Sequence, residues 1–376
     1  MRPSMLIPDY YTAFRCKIDR CRAACCNGWP VTFSMRDYFR LLSLNCTDRT
    51  KSRLDRALHL TAHPTKEEYA MILPGYDGSC PMRMKDGRCS IQAELDESAL
   101  PTVCRLYPRG VREREASCSN SCEAVVELLH RKEAIRFVEA KLGEKIAQTR
   151  RIHFFETGGR EMEIRLWLIS FVQDRRYALP TRLYRMGEAL RLMDRALASH
   201  DSEKIQSLLA DEKQLDVVFE KADWHAAQQT VCAMLEKLDL LSGSIREYGS
   251  IAVRRLSCSD KTGYLDALLQ FRNTAPDWEA WFENLLVNHI FFTQFPFQDC
   301  PVSLTEEITA LFSVYALLRF MTIGAGNGTT ERLVDIIAAL FRLVDHTQFD
   351  RLAVSLLHDS SNSNRLLLSA GLPDID

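Results

Sequence analysis

The cysteines of this chain are concentrated at one end. Thirteen cysteines occur in 376 residues, and ten of them lie within the first 122. Four fall within the eleven residues from Cys16 to Cys26, where Cys25 and Cys26 are adjacent. The remaining 254 residues hold only three scattered cysteines, so the asymmetry predicts a front domain with chemistry of its own.

Clustered thiols usually form disulfides or bind metals, and the setting favours metal binding. Disulfides persist in oxidising, extracellular compartments. The opening MRPSMLIPDYY has too short an apolar run for a secretory signal peptide. No stretch was found to reach the ~18 apolar residues of a membrane helix, and LLVNHIFFTQFPF comes nearest. We therefore expect a cytoplasmic protein without a membrane partner, in which the clustered cysteines are metal ligands.

The ligand supply favours an iron–sulfur cluster over zinc but leaves both open. Zinc sites usually pair cysteines that are about two to four residues apart. Here the spacing is C-x4-C-x3-C-C, followed by eight residues between Cys80 and Cys89 and fourteen between Cys89 and Cys104. Only two histidines precede residue 130. An all-thiolate supply is typical of Fe–S clusters. The radical S-adenosylmethionine pattern C-x3-C-x2-C is excluded, because its third cysteine would fall at Gly28.

Beyond residue 125 the sequence predicts helices. In TRLYRMGEALRLMDRALASH one face is apolar and carries Leu183, Met186, Leu190, Met193 and Leu197. Thr181 is the predicted N-cap of this helix, and Asp223 is that of a second helix in DWHAAQQTVCAMLEKLDLL. Ser303 predicts a capping box at the start of a third helix. Two more helices are predicted in TTERLVDIIAALFRLVDH and FDRLAVSLLHD.

Strand-like alternation is scarce, and only WPVTFSM and EYAMILP are predicted as short strands. The expected fold class is therefore mainly α. A loop-rich, Cys-rich metal-binding N-terminal domain is predicted over residues 1–125. A helical C-terminal domain is predicted over residues 126–376.

Several blocks of the sequence resemble one known family. They are YYTAFRCKIDRCRAACCNGWPVTF, CPMRMKDGRCSIQAELDESALPTVCRLYPRGV, SCEAVVELL and FENLLVNHIFFTQFPF. Together they are similar to the bacterial flagellin lysine-N-methylase family, part of a wider group with a Cys-rich domain for iron or zinc chelation. The resemblance touches both ends of the chain and covers residues 30–79 and 130–280 weakly.

The resemblance implies a set of eight metal-binding cysteines and one 4Fe–4S cluster. The eight are Cys16, Cys21, Cys25, Cys26, Cys80, Cys89, Cys104 and Cys122. Cys46 and Cys118 fall outside the family pattern. Eight thiols are enough for one cluster with spare structural thiols or for two four-thiolate sites, and the choice of four cluster ligands is left open.

The resemblance also implies an enzyme, a protein-lysine N-methyltransferase. Its methyl donor would be S-adenosylmethionine and its partner flagellin. The net charge of −2 provides no field for nucleic acid. The alternative is a non-catalytic Fe–S or zinc protein that acts in flagellar assembly or metal handling. The long helical part favours the enzyme, because a metal carrier would need only the front domain.

A cofactor site is predicted in CRLYPR, at Arg105, Tyr107 and Arg109. If Cys104 is a metal ligand, this segment lies beside the cluster, and two arginines on it would suit a carboxylate. Surface ion pairing is the competing explanation for the arginines. No catalytic residue is assigned.

The glycines of TIGAGNGTT, from Thr322 to Thr330, resemble a nucleotide-binding loop only superficially. Such a loop follows a strand and opens a helix. Here a long helical pattern precedes the glycines, so an interhelical loop is predicted. No Rossmann-type methyltransferase domain is recognisable.

Overall fold

The computed structural model describes residues 4–22, 25, 31–76, 78–112, 114–141, 157, 159–210, 215, 217–239, 243–257, 261–298, 303–357 and 363–370. The elements of the first 141 residues are short: β1 Met5–Pro8, β2 Val31–Phe33, α1 Met35–Leu42, α2 Asp48–Ala57, β3 Leu58–Leu60, β4 Ala70–Ile72, α3 Ser90–Glu94, α4 Thr102–Leu106, β5 Arg109–Val111, β6 Ala116–Cys118, α5 Glu123–Leu129 and β7 Phe137–Ala140.

The remaining elements are helices. They are α6 Glu161–Val172, α7 Leu179–Ala198, α8 Ser202–Ala210, α9 Trp224–Asp239, α10 Arg246–Ser257, α11 Lys261–Thr274, α12 Trp278–Thr293, α13 Leu304–Ala325, α14 Thr330–His346, α15 Phe349–Leu356 and α16 Ser363–Ser369. The prediction of a mainly α fold is confirmed. The metal-binding character of the N-terminal part stays a prediction.

The strands form small antiparallel sheets in the front part of the chain. β1 pairs with β7, β5 pairs with β6, and β4 lies between β2 and β3. Both strands predicted from the sequence are confirmed, and they are partners in one sheet, with Val31 opposite Ile72.

The buried apolar side chains divide into two clusters. The smaller one is built from β2, β4, α1, α2 and the segment around α3, and it contains Val31, Phe33, Leu41, Leu54, Ala57, Ala70, Ile72, Met82, Ile91 and Leu100. The larger one occupies the helical body and also takes in β1, β6 and α5. The chain therefore contributes β1 to the larger cluster, then forms the smaller cluster, and rejoins the larger cluster at β6 and α5.

Buried polar contacts hold the residues around β6 and α5 against the helical body. Arg165 on α6 pairs with Glu115 at 2.7 Å, and both side chains are almost fully buried. The indole N–H of Trp281 donates to the carbonyl of Val126 in α5 at 3.1 Å. The predicted boundary between residues 125 and 126 lies inside α5, and the division into two domains stays a prediction.

The longer helices follow the predicted pattern closely. All five apolar residues predicted for one face of α7 are buried. Asp223 caps α9 by accepting from the N–H of Ala226 at 2.8 Å, and Ser303 forms a capping box with Glu306. The predicted cap at Thr181 was wrong, because Pro180 fits the first turn of the helix and α7 already begins at Leu179.

Helix α13 forms the centre of the helical body. It is long and apolar enough to cross a membrane, which the sequence analysis overlooked, but 94% of its most apolar stretch is buried inside the protein. Its C-terminal end confirms the predicted interhelical loop, because α14 begins at Thr330 after a short connection. Gly324 permits close packing on α10, since a Cβ there would lie 2.7 Å from the Cα of Ala252.

Candidate metal centre

A cavity of about 370 Å³ lies where the small core meets the helical body. Seven of the eight predicted metal ligands line it: Cys16, Cys21, Cys25, Cys80, Cys89, Cys104 and Cys122. The eighth, Cys26, lies outside the described residues. The structure thus brings together thiols that are up to 106 positions apart. Whether they bind metal stays a prediction.

Local structure explains why these thiols meet. Cys16 and Cys21 lie on either side of a single 3-10 turn, Ile18–Arg20. Cys89 and Cys122 occupy the N-cap positions of α3 and α5. Cys104 is carried on the short helix α4. These thiols therefore project from a turn, from helix starts and from a short helix rather than from the strands of the small sheets.

Other cavity residues provide apolar walls and a basic rim. Apolar side chains from the two cores line the cavity, namely Phe14, Val31, Ile72, Met82, Ile91 and Leu100, and the exposed Val103 lines it as well. Arg15 and Lys17 line the cavity beside Cys16. Neither Cys46 nor Cys118 lines it, in agreement with their place outside the family pattern.

Burial favours the protonated form of two of these thiols. It raises the pKa of Cys21 to about 12, and the carboxylate of Glu123 adds to the effect. Burial also raises the pKa of Cys122 to about 11, although backbone N–H groups of α5 oppose the shift. A metal that binds thiolates here must displace protons.

Among the described residues, no three His, Cys, Asp or Glu side chains lie close enough together to hold a metal ion. The metal-binding role of the cavity thiols therefore stays a prediction.

The three predicted cofactor-binding residues also line the cavity. The guanidinium carbon of Arg109 lies 4.7 Å from the ring centre of Phe14, which fixes its position by a cation–π contact. The Nε of Arg105 is buried and has no hydrogen-bond partner among the described residues. The Tyr107 hydroxyl is hydrogen-bonded to Ser121 at 2.8 Å, and burial raises the pKa of Tyr107 well above the usual value.

A hydrogen-bonded network connects Tyr107 to the helical body. Ser121 Oγ lies 2.8 Å from Nε2 of His346 at the end of α14. The neighbouring Ser119 donates to Asp345, whose other oxygen lies 3.0 Å from Nδ1 of His289. His289 is thus a buried histidine with a carboxylate partner. The serines were not singled out in the sequence, where only their position beside Cys122 marks them.

A second set of polar contacts holds the cysteine loop, residues 16–22. The Nζ of Lys17 lies 2.9 Å from Glu123 and 2.7 Å from Glu127, both on α5. Arg22 pairs with Asp335 on α14 at 3.0 Å. Sequence analysis missed these residues, because a single charged residue beside a cysteine gives no periodic signal.

Comparison with known proteins identifies the family. A family model described as the FliB lysine N-methylase C-terminal domain matches residues 165–366, more than half of the chain. The chain belongs to the flagellin lysine N-methylase family. No curated protein and no solved structure matches the chain. The matched range runs from α6 into α16, and the cysteines of the cavity precede it. It includes α12, whose Trp281 contacts α5, and α14, whose Asp335 pairs with Arg22 of the cysteine loop.

Proposed function

We propose that this protein transfers methyl groups from S-adenosylmethionine to lysine side chains of flagellin in the cytoplasm, with a 4Fe–4S cluster held in the cysteine cavity. Family membership supports the lysine N-methylase activity. The observation that carries the cluster proposal is the meeting of seven thiols in one cavity.

The donor set fits a cluster. Among the described residues, the cavity lining contains seven cysteines and no histidine, and thiolates are the usual ligands of Fe–S clusters. When bound, the cluster would brace loops that lack regular structure, since metal-binding energy at such a site is folding energy.

The walls of the cavity suit the deprotonation of a lysine. The amine must lose a proton before it attacks a sulfonium methyl group, because an ammonium ion has no lone pair. An apolar environment disfavours the charged form and lowers the pKa of an amine. The apolar side chains Ile72, Met82 and Leu100 provide such an environment beside the thiols.

The arginines suit the recognition of an anion. Arg109 is held on the ring of Phe14, and Arg105 has a buried Nε without a partner among the described residues. An arginine side chain binds a carboxylate through paired N–H groups. The carboxylate would belong to S-adenosylmethionine or to an acidic residue of flagellin.

The test is a methyl-transfer assay with the full chain. Protein purified without oxygen is incubated with flagellin and S-adenosylmethionine labelled in its methyl group. Label should appear on flagellin lysines, identified by mass spectrometry of peptides. Flagellin with acetylated lysines is the control and should take up none. A folded, metal-containing protein that transfers no label would instead support the non-catalytic metal protein.

A further inference from the structure

A fully buried carboxylate lies beside the cysteine cavity. Glu123 is the first residue of α5, directly after Cys122, and its side chain is 0% exposed. One oxygen accepts from Lys17 at 2.9 Å, and the other accepts from the backbone N–H of Arg22 at 2.9 Å.

These contacts span the cysteine loop, residues 16–22. Lys17 follows Cys16, and Arg22 follows Cys21, so Glu123 holds both ends of the loop against α5. The loop contains only one short 3-10 turn, and Ile18 has a positive φ of 54°. Local backbone preference therefore does not hold this conformation by itself, and Glu123 supplies contacts that do.

The cations that face Glu123 also pair with other acids. Lys17 is shared with Glu127, and Arg22 is shared between Asp335 and Glu127. A buried carboxylate is costly unless it is paired and hydrogen-bonded. Its place beside thiols that would become thiolates adds negative charge where a metal centre is expected.

We propose that Glu123 is the positioning residue of the metal centre, which fixes the cysteine loop on α5 and makes the centre harder to reduce. The inference rests on the cluster in the proposed function. Groups next to metal ligands orient them, and their loss commonly lowers metal affinity about 10–100-fold. A negative charge near a cluster disfavours the added electron, so its removal should raise the reduction potential.

The test compares three variants of the full chain purified without oxygen. Glu123→Gln keeps the size but removes the charge and one of the two acceptor oxygens. Glu123→Ala removes all contacts of the carboxylate. Glu127→Gln is the matched control, because Glu127 shares Lys17 but is 38% exposed. For each variant we would measure iron and acid-labile sulfide per chain, the rate of iron release to a chelator and the reduction potential. The melting temperature of the metal-free protein is measured as well.

Glu123→Gln should release iron about tenfold faster than the parent, at a more positive potential, and Glu123→Ala faster still. Glu127→Gln should change release and potential less than Glu123→Gln, because its carboxylate is partly exposed and water screens its charge. If Glu123→Gln releases iron at the parent's rate and has the parent's reduction potential, the role proposed for Glu123 is wrong, while the proposed function is unaffected. The result for Glu123→Gln is decisive even if Glu123→Ala does not fold. A parent chain without any metal overturns the proposed metal centre together with the inference. A parent that holds zinc overturns only the cluster, and zinc release then tests Glu123 in the same way.

Discussion

The Nε of Arg22 lies 3.0 Å from the carboxylate of Asp335, a residue 313 positions farther along the chain. Arg22 ends the cysteine loop, and Asp335 lies on α14, inside the range matched by the FliB family model. The candidate metal centre and the family's helical domain therefore share a contact, although the cysteines themselves precede the matched range.

Removal of this contact should affect metal binding more than stability. Arg22 is 39% exposed, so Arg22→Ala should cost less than about 1 kcal/mol of the free energy of unfolding. The loop would lose one of its anchors, and we expect a lower metal content at equal protein concentration. Arg20→Ala, on the same loop at an exposed position, is the control. Equal metal content in the two variants and the parent would contradict the prediction.

The purified protein should carry iron. When it is isolated without oxygen, we expect a brown protein with broad absorption at about 400 nm and about four irons per chain, because the thiol-rich cavity suits a 4Fe–4S cluster. Iron and sulfide analysis together with the absorption spectrum check this. A colourless protein that holds zinc would rule out the cluster.

Cysteines inside and outside the cavity should respond differently to substitution. Cys16→Ser or Cys104→Ser should reduce bound metal to less than roughly half and lower the melting temperature, because metal-binding energy stabilises these loops. Cys46→Ser should change neither property beyond a small effect, since Cys46 does not line the cavity. If Cys16→Ser keeps its metal and melts like the parent, Cys16 is not a ligand.

The sequence predicted the features that depend on neighbours in the chain. The apolar face of α7 and the caps at Asp223 and Ser303 follow from spacing over a few residues, and the structure confirms them. The predicted cap at Thr181 was wrong, because proline is tolerated in the first turn of a helix and so does not have to precede it. The membrane-like composition of α13 was overlooked, and only tertiary packing shows that the helix lies in the core.

The cysteines of the candidate site were predicted from the sequence, but the contacts that hold their segments in place were not. The cysteine blocks gave the ligand set, and seven of these thiols line one cavity. The contacts of Arg22 with Asp335 and of Ser121 with His346 join segments more than 200 positions apart. No local periodicity encodes such pairs, because they depend on how the chain folds back on itself.

The two predicted cofactor-binding arginines should matter more for activity than for stability. Arg105→Ala and Arg109→Ala should weaken cofactor binding or methyl transfer by about 2–3 kcal/mol, the usual loss for a hydrogen bond to a charged group. Their cost in unfolding free energy should be below about 1 kcal/mol. Arg112→Ala is the control, because Arg112 also lies over an aromatic ring, that of Phe292, but does not line the cavity.

Turnover with flagellin, affinity for S-adenosylmethionine and the melting temperature of each variant check this prediction. Unchanged turnover and affinity in both variants would favour the competing explanation, in which the two arginines form surface ion pairs. A large drop in melting temperature with normal kinetics in the folded fraction would make them structural residues.

A buried acid far from the cysteines should make stability depend on pH. Glu307 on α13 is 1% exposed, and Gln298 donates hydrogen bonds both to it and to Asp350. Burial raises the pKa of Glu307 well above its ordinary value of 4.5, and the negative charge of Asp350 raises it further. The folded protein therefore keeps a proton on Glu307 at pH values where the unfolded chain has lost it.

This difference fixes the direction of the effect. Where the folded state binds more protons than the unfolded state, stability falls as pH rises, from about pH 4.5 through the raised pKa. Glu307→Gln cannot ionise but keeps an oxygen that accepts from Gln298, so it escapes this loss. Its melting temperature relative to the parent should therefore increase between about pH 5 and pH 8. Glu306→Gln, one residue earlier, controls for the loss of a negative charge, and a pH-independent difference for Glu307→Gln would show that Glu307 is ionised in the folded protein.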